Sequence, residues 1–350
     1  MTESGIVRVA FIGCGRIARV HHGYLRQLPQ VEIVGAWDAD AAAARAFSEE
    51  RHLRCFDSLD QLIEQGTPDA AHVLTPPWSH AELTIALLKA GVSVLVEKPM
   101  AMNPAEVDCM LAARSGDCWL SVDHNRWFDP VVQDAAARLD DGRLGRLVGV
   151  EVFQGAEVGD GGGHWSKDLR GGPLHNLASH PLYLMQRFAG PARTLRVVAR
   201  RDSGGNLEEV RVVADGERAP AMVTMSTGAR PFMNRLVLLG TAATVEVNLN
   251  NMTLVERRPR RLPKMLGKVW PNLSEAAQLL WATARNGVAF AAGKQRYYPG
   301  IGVHLRRLYE KVAAGEPPPV TPEEGRDVTV WYEEILAQAE TCSSAEAGVS

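Results

Sequence analysis

An asparagine and a histidine lie four residues apart in the apolar stretch GGPLHNLASHPLYL, residues 171–184. At about 100° per residue of an α-helix, Asn176 and His180 share one face, whereas His175 is rotated about 140° from His180. An imidazole exchanges protons near neutral pH, and an amide can position a hydroxyl without favouring the charged imidazole as a carboxylate would. The pair is therefore a candidate contact for a substrate hydroxyl; a satisfied polar pair in a packed interface is the structural alternative.

A second candidate site is the sequence GCGRIA, which directly follows the strand-like run VRVAFIG. Gly13 permits a tight turn, Gly15 lets the backbone approach a pyrophosphate, and Ala18 lets the next helix pack closely. Arg16 and Ile17 belong to the first turn of that helix. The pattern is typical of a dinucleotide-binding turn, although a simple glycine-rich turn can have the same sequence.

Asp38 ends the next strand-like run, VEIVGAWD, about twenty residues after the glycine motif. A carboxylate at this position accepts hydrogen bonds from both hydroxyls of an adenosine ribose and repels a 2′-phosphate. The following residue, Ala39, supplies no compensating cation. The cofactor predicted is therefore NAD in preference to NADP, while a simple helix cap is the alternative role of Asp38.

Three further strand-like runs, AAHVLTPP, VSVLVEKP and CWLSVDHN, end in polar residues or proline. Ligands of doubly wound sheets bind at the carboxyl ends of the strands. The cofactor contacts predicted at these ends are Thr75, Pro76, His80, Glu97, Lys98 and Asn125. For His80, capping of its own helix is the alternative.

Lys98 has the clearest chemistry of this group. Next to an oxidised nicotinamide, repulsion between the two positive charges lowers the pKa of the Lys98 ammonium. The ammonium can then donate to a substrate hydroxyl or exchange a proton with it. On position alone, a lysine extending into solvent from a strand end is the simpler interpretation.

The elements that carry these residues divide the chain into two predicted domains. In residues 1–124, short β-branched runs alternate with helical stretches, which predicts a doubly wound α/β domain with a parallel sheet. In residues 125–350, a long helix over 172–188 precedes six strand-like runs between 194 and 258. This order predicts an α+β domain with an antiparallel meander.

Composition excludes several classes of protein. A formal charge of −3 gives no reason to expect nucleic acid as a partner. The five cysteines are scattered, and no metal-ligand motif links the histidines, so neither a disulfide framework nor a metal site is predicted. The N-terminal segment has no basic stretch followed by a long apolar core, and no uninterrupted apolar run reaches about 20 residues. These features favour a cytoplasmic protein.

The order and spacing of five motifs resemble those of the Gfo/Idh/MocA family of oxidoreductases: GCGRIA, TPPWSH, EKP, DHNRWFDP and GGPLHNLASH. The family is named after glucose–fructose oxidoreductase, inositol dehydrogenase and a rhizopine-catabolism protein. The resemblance covers the chain apart from roughly residues 257–296. It implies a Rossmann domain plus a domain with a large, mainly antiparallel open sheet, assembled as a homo-oligomer, either a dimer or a tetramer. It also implies NAD(P)-dependent hydride transfer at a hydroxyl or keto carbon of a sugar, nucleotide sugar, other sugar derivative or cyclitol.

By the same resemblance, Lys98 corresponds to the active-site lysine of the family and His180 to its acid–base histidine. The position four residues before this histidine is often aspartate in the family, and here it is Asn176. The predicted substrate contacts are Lys98, Arg126, Trp165, Lys167, Asn176, His180 and Tyr183. Two alternatives remain: an NAD-dependent glycosidase of the same fold, and an NAD-binding protein without catalytic activity.

Residues 257–268, RRPRRLPKMLGK, contain six cationic residues and no acidic one. The sequence that follows can form an amphipathic helix. Residues 257–290 therefore allow a weak contact with an anionic membrane surface, or a site for the phosphates of a nucleotide-linked or lipid-linked sugar. A solvated basic loop followed by an oligomer-interface helix explains the pattern equally well.

Overall fold

The computed structural model describes residues 5–156, 166, 169–293 and 298–346. The chain divides into two compact units. Unit 1 contains Met1–Asn125 and Gly300–Val330, and unit 2 contains Arg126–Pro299 and Trp331–Ser350. The contiguous second domain expected over residues 125–350 thus differs from the observed division, because residues 300–330 pack with unit 1.

Unit 1 is built on a five-stranded parallel sheet with the strand order β2-β1-β3-β4-β5. Its strands are β1 (Val7–Ile12), β2 (Val31–Trp37), β3 (Ala70–Val73), β4 (Ser93–Val96) and β5 (Leu120–Val122). The connecting helices are α1 (Arg16–Leu25), α2 (Ala41–Arg51), α3 (Leu59–Gln61), α4 (His80–Lys89) and α5 (Pro104–Ala112). The alternation of short apolar strands and helices confirms the predicted doubly wound sheet.

Unit 2 contains a seven-stranded sheet with the order β12-β11-β10-β6-β9-β8-β7. Its strands are β6 (Leu147–Gly155), β7 (Ala192–Arg201), β8 (Leu207–Gly216), β9 (Pro220–Ser226), β10 (Asn234–Gly240), β11 (Thr244–Asn248) and β12 (Thr253–Arg257). Its helices are α6 (Pro130–Asp140), α7 (Pro173–Ala189) and α8 (Lys264–Ala291), while α9 (Pro299–Ala313) and α10 (Pro322–Glu346) follow in the chain. The predicted helix over 172–188 is α7, and the six predicted strands are β7–β12.

The predicted meander is wrong in one respect. β6, which the sequence patterns did not reveal, lies between β9 and β10, pairing parallel to β9 and antiparallel to β10. Val150 and Val152 of β6 are buried, so the strand contributes apolar side chains to the middle of the sheet. A pure β7–β12 meander would have paired β9 directly with β10.

A network of buried polar side chains crosses the core of unit 1. Nδ1 of His21 on α1 lies 2.9 Å from Nδ1 of His72 on β3, whose Nε2 lies 2.7 Å from the hydroxyl of Tyr309 on α9. On its other side, Nε2 of His21 lies 3.4 Å from Asp123 and 3.7 Å from Glu97. The network therefore joins α1, three strands of the sheet and α9.

The two carboxylates determine the protonation of this network. Burial alone would lower the pKa of His21, but Asp123 and Glu97 raise it to about 9. Burial, and next the charge on His21, lower the pKa of His72 well below its ordinary value. The charged His21 thus donates through Nδ1 to neutral His72, whose remaining N–H donates to Tyr309.

Asp123 is the second centre of the network. Its Oδ1 accepts a hydrogen bond of 2.6 Å from Nδ1 of His304 on α9. Burial would raise the pKa of Asp123, but His21 and His304 hold it well below its ordinary value. Because His304 and Tyr309 complete this buried network, residues 300–330 belong with unit 1.

Replacing His21 with Asn is expected to destabilise the protein at pH 7 by about 3–5 kcal/mol, because two buried carboxylates lose their imidazolium. The folded-state pKa of His21 is raised from 6.5 to about 9, so its stabilisation is complete below about pH 6.5 and is lost as the pH rises through 9. Urea unfolding at pH 6, 7.5 and 9 measures both effects. His52→Asn, at an exposed position, is the matched control. An identical pH dependence in wild type and His21→Asn would contradict the assignment.

Candidate active site

The glycine turn after β1 has the geometry that a bound pyrophosphate requires. Gly13 has φ +95°, and a Cβ there would lie 2.9 Å from both the Leu74 carbonyl carbon and Thr75 Cγ2. At Gly15, by contrast, no heavy atom of the described residues lies within 4 Å of the Cβ position. No described side chain caps α1. The first amides of α1 therefore face an open space next to Gly15, which fits an anionic group.

Asp38 lies beside this turn. Its Oδ2 accepts a hydrogen bond of 2.7 Å from the Cys14 amide, and its Oδ1 accepts one of 2.9 Å from the Asp40 amide. The cap of α2 is Asp40, which accepts from the amides of Ala42 and Ala43, so capping is not the role of Asp38. A carboxylate retains lone pairs beyond these two bonds, and these remain available for a ribose.

The residues that follow the strands of unit 1 meet at one edge of its sheet. The last paired residues form a single row across the sheet: Trp37, Ile12, Val73, Val96 and Val122. Gly13, Asp38, Thr75, Lys98 and Asn125 each follow this row by one to three residues. The structure therefore brings these five predicted cofactor residues together at the edge where doubly wound sheets bind ligands.

His80 has a different place from the one predicted. It is fully buried, with Nε2 2.7 Å from the Thr75 carbonyl and Nδ1 2.9 Å from the Pro99 carbonyl. Burial lowers its pKa. His80 therefore connects the loops after β3 and β4 from inside, instead of presenting an exposed imidazole to a cofactor.

Lys98 follows β4 and is half-buried, while its neighbour Glu97 is buried. Glu97 Oε2 accepts a hydrogen bond of 2.9 Å from the Lys98 amide, and its Oε1 is directed to His21. Glu97 thus fixes the backbone at Lys98 and has an interior role. Similarly, Nδ2 of Asn125 donates to Asp123 at 3.1 Å.

In unit 2, Asn176 and His180 lie on the same side of α7 and both are half-buried. His175 is buried and stacks on Tyr332 with ring centroids 4.2 Å apart, so it faces elsewhere, as predicted. Tyr183 is also buried, at 1% exposed, because its position on α7 faces the core; this is a correction to its predicted role as a substrate contact.

Three predicted substrate contacts remain, and the structure describes only one of them, Arg126. Arg126 is partly exposed and forms an ion pair of 3.0 Å with Asp129. Trp165 and Lys167 lie outside the described residues.

The buried network also contains the one group of potential metal ligands among the described residues: His21, Glu97 and Asp123, whose ligand atoms lie within 4.8 Å of one another. An imidazolium is not a ligand, and the raised pKa of His21 keeps it charged near neutral pH. In its protonated state the imidazolium of His21 lies 3.4 Å from the carboxylate of Asp123 and 3.7 Å from that of Glu97. Sequence reasoning missed the network because His21, His72 and His304 share no spacing signal.

A cavity of about 700 Å³ lies in unit 2 between the first half of α8 and the strands β10–β12. Its lining includes Arg258, Arg260, Trp270 and Glu275, and none of the predicted cofactor or substrate residues that the structure describes.

Comparison with known proteins identifies the family of both units. The model described as "oxidoreductase family, NAD-binding Rossmann fold" matches residues 7–124, and the model of the GFO/IDH/MocA C-terminal domain matches residues 132–246. The two ranges together cover about two thirds of the chain.

Individual relatives agree with this result. A myo-inositol dehydrogenase of Streptomyces leeuwenhoekii is 37% identical over 40% of this chain and 43% of its own. The D-glucoside 3-dehydrogenase of Escherichia coli is 30% identical over 52% of this chain and 53% of its own. The chain spans about half the length of the curated relatives it matches.

Among solved structures, the WlbA dehydrogenase of Bordetella pertussis, in complex with NADH and UDP-GlcNAcA, has a TM-score of 0.77 at 21% identity over 96% of each chain. A structural likeness at 21% identity shows that the two chains share a fold. Because two models of one family match in the expected order, and the same fold extends over nearly the whole chain, the protein belongs to the Gfo/Idh/MocA family of oxidoreductases.

Proposed function

We propose that the protein is an NAD-dependent oxidoreductase that transfers a hydride between nicotinamide and a hydroxyl or keto carbon of a sugar, a sugar derivative or a cyclitol. The observation that carries this proposal is the open, uncapped glycine turn of unit 1 with Asp38 beside it and Lys98 at the same edge of the sheet. Relatives named as inositol and glucoside dehydrogenases support the substrate class, and one named UDP-N-acetylglucosamine 3-dehydrogenase extends it to nucleotide sugars.

In this proposal the cofactor is held mainly by backbone. The amides around Gly15, Arg16 and Ile17 bind the pyrophosphate, and Asp38 binds the ribose. The negative charge of Asp38 gives NAD preference over NADP. Thr75, Pro76 and Asn125 line the same edge.

Bound NAD would supply the hydride acceptor or donor. The chain supplies orientation and proton transfer. Lys98 holds the substrate oxygen, Asn176 positions a hydroxyl, and the hydroxyl proton leaves to the imidazole of His180 or to the amine of Lys98. Half-burial keeps these side chains within reach of a ligand.

We also propose a cytoplasmic homo-oligomer. One face of the sheet in unit 2 exposes the apolar side chains Val198, Val213 and Met222, at 63%, 56% and 42%. Association through this face would remove them from water.

Screening of NAD-saturated protein against cyclitols, free sugars, uronic acids and nucleotide sugars tests the proposed activity. Net accumulation of NADH supports a dehydrogenase. Cleavage of a glycoside with no net NADH would instead identify a glycosidase of the same fold, and tight NAD binding without turnover across the panel would identify a binding protein.

Replacing Lys98 with Met is expected to lower turnover by at least about 100-fold, because the charged donor at the substrate oxygen is lost. The dissociation constant of NAD is expected to stay within about threefold, because backbone and Asp38 hold the cofactor. Steady-state rates and NAD titration measure the two effects. Lys89→Met, at an exposed position on α4, is the matched control. Turnover retained in Lys98→Met would refute the role of Lys98.

Replacing Asp38 with Asn is expected to raise the affinity for NADP relative to NAD by about tenfold, since the charge is removed but an acceptor for the Cys14 amide remains. Titration with both cofactors gives this ratio. Asp40→Asn removes a charge two residues away and keeps the cap of α2. An equal change in both variants would contradict a specific contact between Asp38 and the ribose.

Replacing Asn176 with Asp is expected to raise the pKa of His180, because a carboxylate on the same helix face favours the imidazolium. If His180 accepts the hydroxyl proton, the acidic limb of kcat/KM for oxidation moves to higher pH by about one unit. Asn176→Ala controls for loss of the amide alone. An unchanged profile in Asn176→Asp would assign the proton transfer to Lys98.

A further inference from the structure

Helix α8 turns its apolar side away from the protein. Five of its exposed apolar side chains are Leu266, Val269, Leu273, Leu280 and Val288, which are 50–74% exposed; Met265 and Phe290, at 75% and 74%, extend the exposed apolar surface on one side of them. At about 100° per residue these five fall within a sector about 100° wide. We call them the apolar stripe of α8. α8 has 28 residues, and the stripe runs along roughly 33 Å of it.

The opposite side of α8 is polar and bonded to unit 2. Gln278 accepts from the Glu256 amide at 2.9 Å, and Asn286 donates to the Met252 carbonyl at 2.8 Å. Glu275 accepts from Arg257 at 2.6 Å. The usual pattern of a surface helix, with apolar side chains inward and polar side chains outward, is therefore reversed.

Aromatic and basic residues border the apolar stripe. Trp270 and Trp281 lie on one flank, 42% and 65% exposed. The guanidinium of Arg260 lies 4.8 Å from the ring of Trp270, and that of Arg285 lies 4.9 Å from the ring of Trp281. Tryptophan and arginine at the edge of an apolar surface suit the boundary between hydrocarbon and lipid headgroups.

The charge of this region is opposite to that of the rest of the chain. Residues 257–296 contain nine Lys and Arg and a single acid, Glu275, so their net charge is +8. The whole chain carries −3, which leaves −11 on the other residues. Four cations at the start of this region have no ion pair with a described carboxylate: Arg260 and Arg261 before α8, and Lys264 and Lys268 in its first two turns.

These observations choose between the possible partners of the stripe. A second copy packed stripe to stripe would bring two segments of charge +8 together, which is unfavourable. An anionic bilayer satisfies both the apolar stripe and the cations. No described helix is long and apolar enough to cross a membrane, so α8 would lie in the plane of the surface.

We propose that α8 and the basic segment 258–263 form an interfacial anchor that binds the surface of a bilayer rich in anionic phospholipid. The apolar stripe enters the boundary of the acyl chains, the tryptophans lie at headgroup depth, and the cations contact phosphates. This inference does not depend on the oxidoreductase activity.

Flotation of the full-length protein with lipid vesicles tests the anchor. We expect the protein to bind vesicles of about 30% phosphatidylglycerol in phosphatidylcholine at low salt, and to bind them less tightly at higher salt. Binding to vesicles of phosphatidylcholine alone is expected to be weaker by at least about tenfold. Absence of binding to the anionic vesicles at low salt would overturn the proposal.

The variant Leu273→Glu/Leu280→Glu places two charges in the apolar stripe and is expected to weaken vesicle binding by at least about tenfold. Asn272→Glu adds the same kind of charge to α8 outside the stripe and is expected to change binding by no more than about twofold. Circular dichroism and NAD binding report on folding of each variant. If the double variant instead abolishes a protein dimer while wild type does not float with anionic vesicles, the stripe is a self-association surface and the proposal fails.

Discussion

The carboxyl edge of the sheet in unit 1 depends on one buried positive charge, the imidazolium of His21. Two carboxylates follow neighbouring strands, Glu97 after β4 and Asp123 after β5, and both are buried. Without His21 their desolvation would be opposed only by hydrogen bonds. With it, Glu97 holds the Lys98 amide and Asp123 holds the Asn125 side chain, so the interior charge fixes the backbone from which two proposed site residues extend.

The same network accounts for the path of the chain. After unit 2 the chain returns through α9, which supplies His304 to Asp123 and Tyr309 to His72. A proton on His21 sets the direction of the bonds from His21 to His72 and from His72 to Tyr309, because a charged imidazole only donates and a neutral one does both. The six buried polar side chains of the network come from both parts of unit 1, so a boundary drawn once near residue 125 separates partners.

Features specified by local sequence could be predicted, and features specified by distant partners could not. The glycine turn, Asp38 and α7 carry their signals within a few residues, and the structure has a tight turn at Gly13, Asp38 beside it and a helix over Pro173–Ala189. β6 was missed because two glycines and alternating polar residues weaken its pattern, while its pairing with β9 links residues about 70 positions apart. The buried position of His80, predicted as a cofactor contact or a helix cap, could not be read from the sequence because its two partners are backbone carbonyls, which leave no trace in side-chain patterns.

Helix α8 shows why periodicity alone does not give orientation. Its sequence has an apolar side and a polar side, and the ordinary rule places the apolar side inward. However, α8 packs against β12, which is an edge strand with backbone groups that need partners. Gln278 bonds both the amide and the carbonyl of Glu256, so a polar side chain completes the ladder at this edge. These bonds hold the polar side of α8 against the protein, and the apolar side faces outward as a consequence.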